Sequence, residues 1–185
     1  MQILPHIQNE YAPLNTVVVG VARNMGGVPT IESCYDARSR SSVEQGVYPS
    51  EEDCMVEVKG LIEALESFDV EVLRPSSIPS LNQVFARDIA FVIEDQFILP
   101  NVIEDRADEA LAIHEIEGKI PSSNIIMMPS GCYAEGGDVI VHEPFVFVGV
   151  SNDDTFDTFI TARTNTAGFD YLQDEFPAYD FKGFE

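Results

Sequence analysis

The sequence predicts an α/β protein in which pairs of strands alternate with helices. Short apolar runs rich in valine and isoleucine recur along the chain, and each has the length of a strand. Segments with apolar residues at helical spacing separate these runs. Strand pairs alternate with helices along the chain, which predicts an internal repeat of a β-β-α-β unit roughly 50 residues long. At 185 residues the chain fits one domain with a substantial core.

The first third of the chain predicts one strand, one long loop and one helix. The valine-rich run 15–21 is typical of a buried strand. Residues 23–49 are rich in Gly, Ser and Arg and have little periodicity, so they predict a long irregular loop. Ser50 stands where a helix N-cap is expected, with Asp53 three residues later as in a capping box. The helix then runs to about Ser67.

The remaining two thirds contain the two predicted strand pairs and the helices that follow them. Gly118 is expected to end the first helix of this region. The last residues, 179–185, include three aromatic side chains and predict a further structural element rather than a polar tail. The predicted strands are 70–73, 89–93, 96–99, 125–128, 139–141 and 145–150, and the predicted helices are 104–117 and about 165–176.

Composition limits the partners and the compartment. The chain has 32 acidic and 10 basic side chains and a formal net charge of -22. Such a surface repels phosphate backbones and anionic lipids, so we expect neither nucleic acid nor membrane as a partner. Its three cysteines, Cys34, Cys54 and Cys132, form no C-x-x-C pair, which favours a reducing, cytoplasmic compartment.

Two acidic strings are the strongest functional signal. One runs from Asn82 to Asp88, and the other, Glu135-Gly-Gly-Asp138, follows about 50 residues later. Each places a carboxylate beside a strand-like apolar run. Two carboxylates that face each other can bind a planar guanidinium through charge-assisted, bidentate hydrogen bonds. The two glycines would let the backbone pass close to such a ligand.

These strings, their spacing and their strand context resemble the guanidine-modifying enzymes of the pentein fold: arginine deiminases, amidinotransferases and dimethylarginine hydrolases. The opening strand, the long loop and the first helix resemble the amidinotransferase-like branch. The resemblance implies an α/β propeller built from β-β-α-β modules around a substrate channel. It covers nearly all of residues 1–185, which we interpret as an incomplete catalytic domain whose C-terminal modules are missing.

The resemblance implies a role for five residues. Asp88 and Glu135 resemble the carboxylates that bind the substrate guanidinium, and Glu135, which in the family lies beside the catalytic histidine, is expected to be a catalytic residue. Asn82 resembles a residue that contacts the amino-acid end of the substrate. Arg106 and Arg163 resemble arginines that bind the substrate carboxylate.

The string Arg163-Thr164-Asn165 matches the family's Arg-Thr-Asn string, although it follows an apparent insertion at residues 152–161.

The residues themselves leave simpler interpretations open. Asp88 could form a surface ion pair with Arg87, and Arg106 could lie on a helix surface and pair with Glu109. Asn82 could cap a turn. Glu135 could be one loop acid among many, and its two glycines could form only a tight turn.

The family's His-x-Asp string and its nucleophilic cysteine have no match in this sequence. His6, His114 and His142 are expected to be structural or solvated. Cys132, three residues before Glu135, is expected to be a packing residue. The chain is therefore expected to hold the substrate-binding half of the enzyme and to lack turnover by itself.

The sequence predicts an enzyme that acts on arginine or a related guanidino compound through a covalent amidino-cysteine intermediate, in the manner of an amidinotransferase. An arginine deiminase-type hydrolase and a non-catalytic arginine-binding module stay open. A third alternative is a metal-binding or purely structural protein, with Asn152, Asp153, Asp154 and Asp157 as the metal site, but these lack the glycine and the final Glu of an EF-hand. We expect no metal and no cofactor, a small cationic guanidino substrate as partner, and possible homo-oligomers through unpaired strand edges.

Overall fold

The computed structural model describes residues 2–34, 36–152 and 163–185. Its first part is a β-α-β unit. Strand β1 (Thr16–Val18) pairs in parallel with β2 (Glu71–Leu73), and helices α1 (Ala37–Glu44) and α2 (Glu51–Glu66) lie between them in the chain. The predicted strand and helix α2 are both present, with the strand shorter than expected.

Side-chain caps begin both helices. The hydroxyl of Ser50 accepts a hydrogen bond from the Asp53 N–H, which confirms the predicted N-cap of α2. Helix α1 shows that the prediction of an irregular loop over residues 23–49 was wrong. Asp36 caps α1 by accepting from the N–H groups of Arg38 and Ser39. Its sequence, Ala-Arg-Ser-Arg-Ser-Ser-Val-Glu, contains no apolar stripe from which a helix could be predicted.

The second unit has β-β-α-β order. Helix α3 (Ala86–Ile89) leads into β3 (Phe91–Ile93), which pairs antiparallel with β4 (Gln96–Leu99). The prediction of a strand over 89–93 therefore began two residues too early.

The helical segment of this unit begins with a 3-10 helix (Glu104–Ile113) and ends with α4 (His114–Glu117). Gly118 follows as the C-cap. Strand β5 (Ile125–Met127) then pairs in parallel with β4.

The third unit repeats this topology. Strand β6 (Val139–His142) pairs antiparallel with β7 (Phe145–Gly149), and α5 (Thr166–Glu175) leads to β8 (Asp180–Phe184), which pairs in parallel with β7. The predicted β-β-α-β repeat is thus present twice, and the aromatic closing segment is a strand. Within the described residues the sheets are small and separate, and none of them closes on itself.

Two apolar clusters hold these units together. One lies in the third unit around Val146, Val148 and Leu172 and includes Phe91 and Ile98 of the second unit. The other joins the 3-10 helix and α4 to the second sheet.

The N-terminal segment crosses both complete units. Ile7 forms a β-bridge with Glu94, and Asn9 forms one with His142. In the part of the chain that is described, no helix combines the length and the apolar character needed to cross a bilayer.

Candidate functional site

One carboxylate from each acidic string accepts a hydrogen bond from the same nitrogen atom, Nη1 of Arg106. Asp88 lies on α3, and Glu135 lies directly before a 3-10 turn formed by Gly136–Asp138. Nη1 of Arg106 donates to Oδ2 of Asp88 at 2.7 Å and to Oε2 of Glu135 at 3.0 Å. Asp88 and Glu135 therefore face a common cation, and that cation belongs to the chain itself.

Arg106 is held by three carboxylates. In addition to Asp88 and Glu135, Glu109 accepts from Nε at 3.1 Å and from Nη2, so that it binds the guanidinium in a bidentate manner. The Arg106 side chain is 2% exposed, so the expected pairing with Glu109 exists but is buried rather than on a helix surface. Burial would lower the pKa of Arg106, but Glu109, Glu135 and Asp88 outweigh it and raise that pKa.

The two carboxylate oxygens of Glu135 differ in their hydrogen bonds. Its Oε2 accepts from Arg106 and also from Nη1 of Arg163 at 2.6 Å. Its Oε1 is buried and has no hydrogen-bond partner among the described residues. Burial raises the pKa of Glu135 above its ordinary value, and the nearby charge of Asp88 adds to this, against the opposing effect of the two arginines.

The second acidic string and the Arg-Thr-Asn string are joined directly. Oδ2 of Asp138 accepts from the Arg163 N–H at 2.9 Å and from the Thr164 hydroxyl at 3.0 Å. Burial raises the pKa of Asp138, and the hydrogen bonds from residues 163 and 164 only partly offset this. These contacts place the Arg163 side chain beside Glu135.

The two glycines bring the strings together. A Cβ on Gly136 would lie 2.2 Å from the Arg87 carbonyl oxygen, and one on Gly137 would lie 2.5 Å from Oδ1 of Asp88. Position 136 therefore requires glycine because the backbone passes against α3, whereas at position 137 a side chain would displace the Asp88 carboxylate. The close approach that the sequence suggested is made here to the chain's own Asp88.

Arg87 stabilises the contact between α3 and the segment that contains the two glycines. Its Nε donates to the Gly136 carbonyl at 2.8 Å and its Nη2 to the Val139 carbonyl at 2.6 Å. Its guanidinium also binds both carboxylate oxygens of Glu10, at 2.9 and 3.1 Å. Arg87 pairs with Glu10 rather than Asp88, so the simple surface pair of residues 87 and 88 is not formed.

Helix α1 borders the site. Burial would raise the pKa of its N-cap, Asp36, but hydrogen bonds from Ser39 and Arg38 and the charge of Arg163 lower it. The segment that the sequence predicted as loop therefore contributes a carboxylate near Arg163.

Asn82 forms its hydrogen bonds with other residues. Its Oδ1 accepts from the Val84 N–H at 3.2 Å, as a turn cap does, and its side chain hydrogen-bonds with Tyr48. Among the described residues no hydrogen bond joins it to Asp88, Arg106 or Glu135. Its role at the amino-acid end of a substrate stays a prediction, as do the catalytic role of Glu135 and the substrate-binding roles of Asp88, Arg106 and Arg163.

The described histidines and cysteines take other positions. His114 pairs with Glu117 at the surface, and His142 packs against the ring of Tyr11. Cys132 packs against an apolar cluster, and the Cys34 thiol donates to the Thr30 carbonyl.

Within the described ranges no group of three His, Cys, Asp or Glu side chains could hold a metal ion. The apparent insertion and the acidic residues at 152–157 lie outside the described residues, except for Asn152.

Comparison with solved structures identifies the fold. The chain superposes over its whole length on the inosamine-phosphate amidinotransferase of Streptomyces griseus, with a TM-score of 0.68, 15% identity and 63% of that chain covered. It also matches the dimethylarginine dimethylaminohydrolase of Pseudomonas aeruginosa (TM-score 0.63, 17% identity, 93% of this chain and 62% of that one). A third match is the N-terminal domain of ArgZ, a cyanobacterial arginine dihydrolase (TM-score 0.68, 10% identity, 92% and 57%).

All three are pentein-fold proteins that modify guanidino groups, so the resemblance predicted from the sequence is confirmed at the level of the fold. By sequence, the chain is 34% identical over 121 residues to Uncharacterized protein YkgA of Bacillus subtilis (strain 168), which covers 64% of this chain and 38% of that protein. The chain thus spans less than two thirds of the length of each of these proteins. No model of a protein family matches it.

Proposed function

We propose that this chain forms the substrate-binding half of a guanidine-modifying enzyme that acts on arginine or a related guanidino compound. The observation that carries the proposal is the convergence of Asp88 and Glu135 on one guanidinium nitrogen. Side chains from strings about 50 residues apart meet there in a geometry that already accommodates this functional group. The β-β-α-β units would belong to a propeller of such modules, with this site at its centre.

The charge balance of the site favours a further cation. Two guanidinium groups, of Arg106 and Arg163, stand against four carboxylates. The formal charge of this group is therefore -2. The carboxylates are Asp88, Glu109, Glu135 and Asp138. A cationic ligand would offset the remaining charge in a site where burial strengthens every electrostatic interaction.

We propose that the substrate binds without displacing Arg106. Removing that side chain from its cage would leave the buried carboxylate of Glu109 unpaired, which costs about 3–5 kcal/mol. A ligand with a millimolar Kd has a binding free energy of about 4 kcal/mol, so a cost of this size would cancel it. The substrate guanidinium would instead use the oxygens that Arg106 leaves available, Oε1 of Glu135 and Oδ1 of Asp88. Arg106 would then act as a positioning residue that orients both carboxylates.

The chemical step would follow the family's course. Two carboxylates fix the guanidinium plane, and a thiolate forms a bond to the guanidinium carbon while the C–N bond to the amine breaks. A general acid supplies the proton with which the amine leaves. The Cys34 thiol donates to the Thr30 carbonyl and Cys132 packs against an apolar cluster, so in this proposal the thiolate comes from outside the described residues. An acceptor amine would complete an amidinotransferase reaction.

Two alternatives share the same site. In an arginine deiminase-type hydrolase, water rather than an amine would attack the amidino intermediate. A non-catalytic arginine-binding module would use only the carboxylates. The positions of Cys34 and Cys132, both engaged elsewhere, favour this last alternative for the chain taken alone.

Calorimetric titration with arginine tests the proposal. We expect weak binding by the wild-type chain and at least a tenfold loss in Asp88→Asn, which keeps the shape of the side chain but removes its charge. Glu66→Gln, which removes one exposed carboxylate at the end of α2, is the matched control and should bind as the wild type does. Citrulline, the uncharged analogue, should bind far more weakly than arginine. Undiminished arginine binding by Asp88→Asn would overturn the assignment.

A further inference from the structure

Both arginines of the site are engaged with carboxylates of the chain itself. Arg106 pairs with Asp88, Glu109 and Glu135, and its side chain is 2% exposed. Nη1 of Arg163 donates to Oε2 of Glu135 at 2.6 Å, and the Glu135 side chain is also 2% exposed. Withdrawing either arginine would remove a cation from a buried carboxylate, which is strongly unfavourable. A carboxylate on the substrate would therefore compete with the protein's own carboxylates for these cations.

Further acids lie around Arg163, so the site has an excess of negative charge. The Arg163 N–H donates to Asp138 at 2.9 Å, and the guanidinium of Arg163 lies close enough for its charge to act on Asp138 and on Asp36 at the start of α1. With Asp36 included, five carboxylates stand against two guanidinium groups, and the formal charge is -3. Residues 153–162, which lie outside the described ranges, contain no Lys, Arg or His that could offset this charge.

Asp36 also lies near the residue that the resemblance assigns to the far end of the substrate. The Tyr48 side chain hydrogen-bonds with Asn82, and the charge of Asp36 acts on Tyr48. Asn82 is predicted to contact the amino-acid end of a substrate, so this end of the site contains an amide, a hydroxyl and one carboxylate. Burial would raise the pKa of Asp36, but hydrogen bonds within α1 lower it, and the carboxylate is therefore ionised at neutral pH. The far end of the site thus offers a ligand a negative charge.

We propose that the substrate is a guanidino compound with an amine and no carboxylate at the end opposite its guanidinium, and that Asp36 binds this amine. The guanidinium would bind to Oε1 of Glu135, which is buried without a hydrogen-bond partner among the described residues, and to Asp88. The ammonium group would pair with Asp36, whereas a carboxylate in its place would meet like charge. This inference rests on the proposed function, because it identifies the other end of the same ligand.

Four ligands with the same carbon chain separate the effects of the two end groups. They are arginine, decarboxylated arginine, deaminated arginine and butylguanidine, which lacks both the amine and the carboxylate. Calorimetric titration of the wild-type chain measures the Kd of each ligand. We expect decarboxylated arginine to bind at least tenfold more tightly than arginine, and butylguanidine at least tenfold more tightly than deaminated arginine, because in each pair only the carboxylate differs. Decarboxylated arginine should also bind more tightly than butylguanidine.

Asp36→Asn tests the residue assigned to the amine. Asparagine caps a helix as well as aspartate does, so the substitution removes the charge and keeps α1, which circular dichroism can verify. We expect decarboxylated arginine to bind at least fivefold more weakly to this variant, and the affinity for butylguanidine to change less than twofold, because that ligand has no amine. Glu66→Gln removes one exposed charge on α2 and should leave both affinities unchanged, which separates the effect of Asp36 from that of the net charge.

Two outcomes would overturn the inference and leave the proposed function in place. The first is that arginine binds as tightly as decarboxylated arginine and Asp88→Asn still weakens it. The exposed Arg38 and Arg40 of α1 would then be the candidates for binding the carboxylate. The second is that Asp36→Asn weakens butylguanidine and decarboxylated arginine equally. If none of the four ligands bound, or if Asp88→Asn weakened none of them, the proposed function would fail and this inference with it.

Discussion

Arg87 and Arg106 both connect distant parts of the chain to carboxylates, but they do so in opposite environments. The Arg87 side chain is 51% exposed and binds Glu10 at the surface, whereas Arg106 is 2% exposed and lies among three acids. Hydrogen bonding to Arg87 lowers the pKa of Glu10 despite its partial burial, while burial raises the pKa of Glu135. We call the exposed pair of Arg87 and Glu10 the brace, because it connects distant segments at the surface. The buried cluster around Arg106 contains a carboxylate whose pKa is shifted by burial, which is typical of functional sites.

Arg106→Leu should have the largest effect on stability. It leaves up to three carboxylates without their cation in the interior, so we expect a loss of about 3–5 kcal/mol in the free energy of unfolding. Urea unfolding followed by circular dichroism measures this. Arg106→Lys keeps the charge but not the planar guanidinium, so its free energy of unfolding should lie between those of the wild type and Arg106→Leu. A loss below about 1 kcal/mol for Arg106→Leu would show that the cluster is far more hydrated than its burial indicates.

Gly136→Ala tests the contact between the two acidic strings. The added Cβ would meet the Arg87 carbonyl at 2.2 Å, so the backbone must shift, and we expect a loss of about 1–3 kcal/mol. Gly60→Ala in α2 is the control, because its Cβ would meet nothing within 4 Å. That variant should be more stable by about 0.5–1 kcal/mol, since alanine favours a helix interior over glycine. Equal effects of the two substitutions in thermal unfolding would contradict the close approach.

Arg87→Gln should weaken the brace less than Arg106→Leu weakens the buried cluster. It removes two hydrogen bonds to backbone carbonyls and a surface ion pair, for which we expect about 1–2 kcal/mol. The matched control is Lys59→Gln, which breaks an exposed pair with Glu63 on α2 and should cost about 0.5 kcal/mol or less. Chemical unfolding of both variants under one condition gives the comparison. If Arg87→Gln were as mild as the control, the brace would contribute nothing to the site.

The two clusters should also respond to pH with opposite signs. Glu135 has a pKa raised above 4.5, so its contribution to folding is present below that pH and is lost as pH rises through its folded pKa. Glu10 has a lowered pKa, so its contribution is present above 4.5 and is lost as pH falls through its folded pKa.

We therefore expect the stability of the wild type relative to Glu135→Gln to fall as pH rises from about 4.5, and its stability relative to Glu10→Gln to fall as pH is lowered from about 4.5. Urea midpoints at a series of pH values measure both differences. Changes of the same sign would show that burial does not govern Glu135.

Sequence reasoning worked best where one local pattern fixes one outcome. The Ser50 cap, with Asp53 three residues later, specified the start of α2, and the acidic strings beside apolar runs indicated a shared site for Asp88 and Glu135. Helix α1 was not predicted because its Arg-Ser-Arg-Ser stretch has no apolar stripe. The Asp36 N-cap was the one signal of this helix in the sequence.

Long-range pairing was the other limit. Glu10 and Arg87 are 77 residues apart, and nothing in either segment marks the other as its partner. The cage around Arg106 was missed for a related reason. Its spacing to Glu109 suggests an exposed helix pair equally well, and the spacing does not reveal the ion pairs that the buried side chain makes with Asp88 and Glu135 from other parts of the chain.

A crystal structure of the chain with arginine tests the central claim most directly. We predict that the ligand guanidinium lies within about 3 Å of Oε1 of Glu135 and Oδ1 of Asp88, and that Arg106 is still bound to Glu109. Arginine bound elsewhere, or in contact with neither carboxylate, would contradict it.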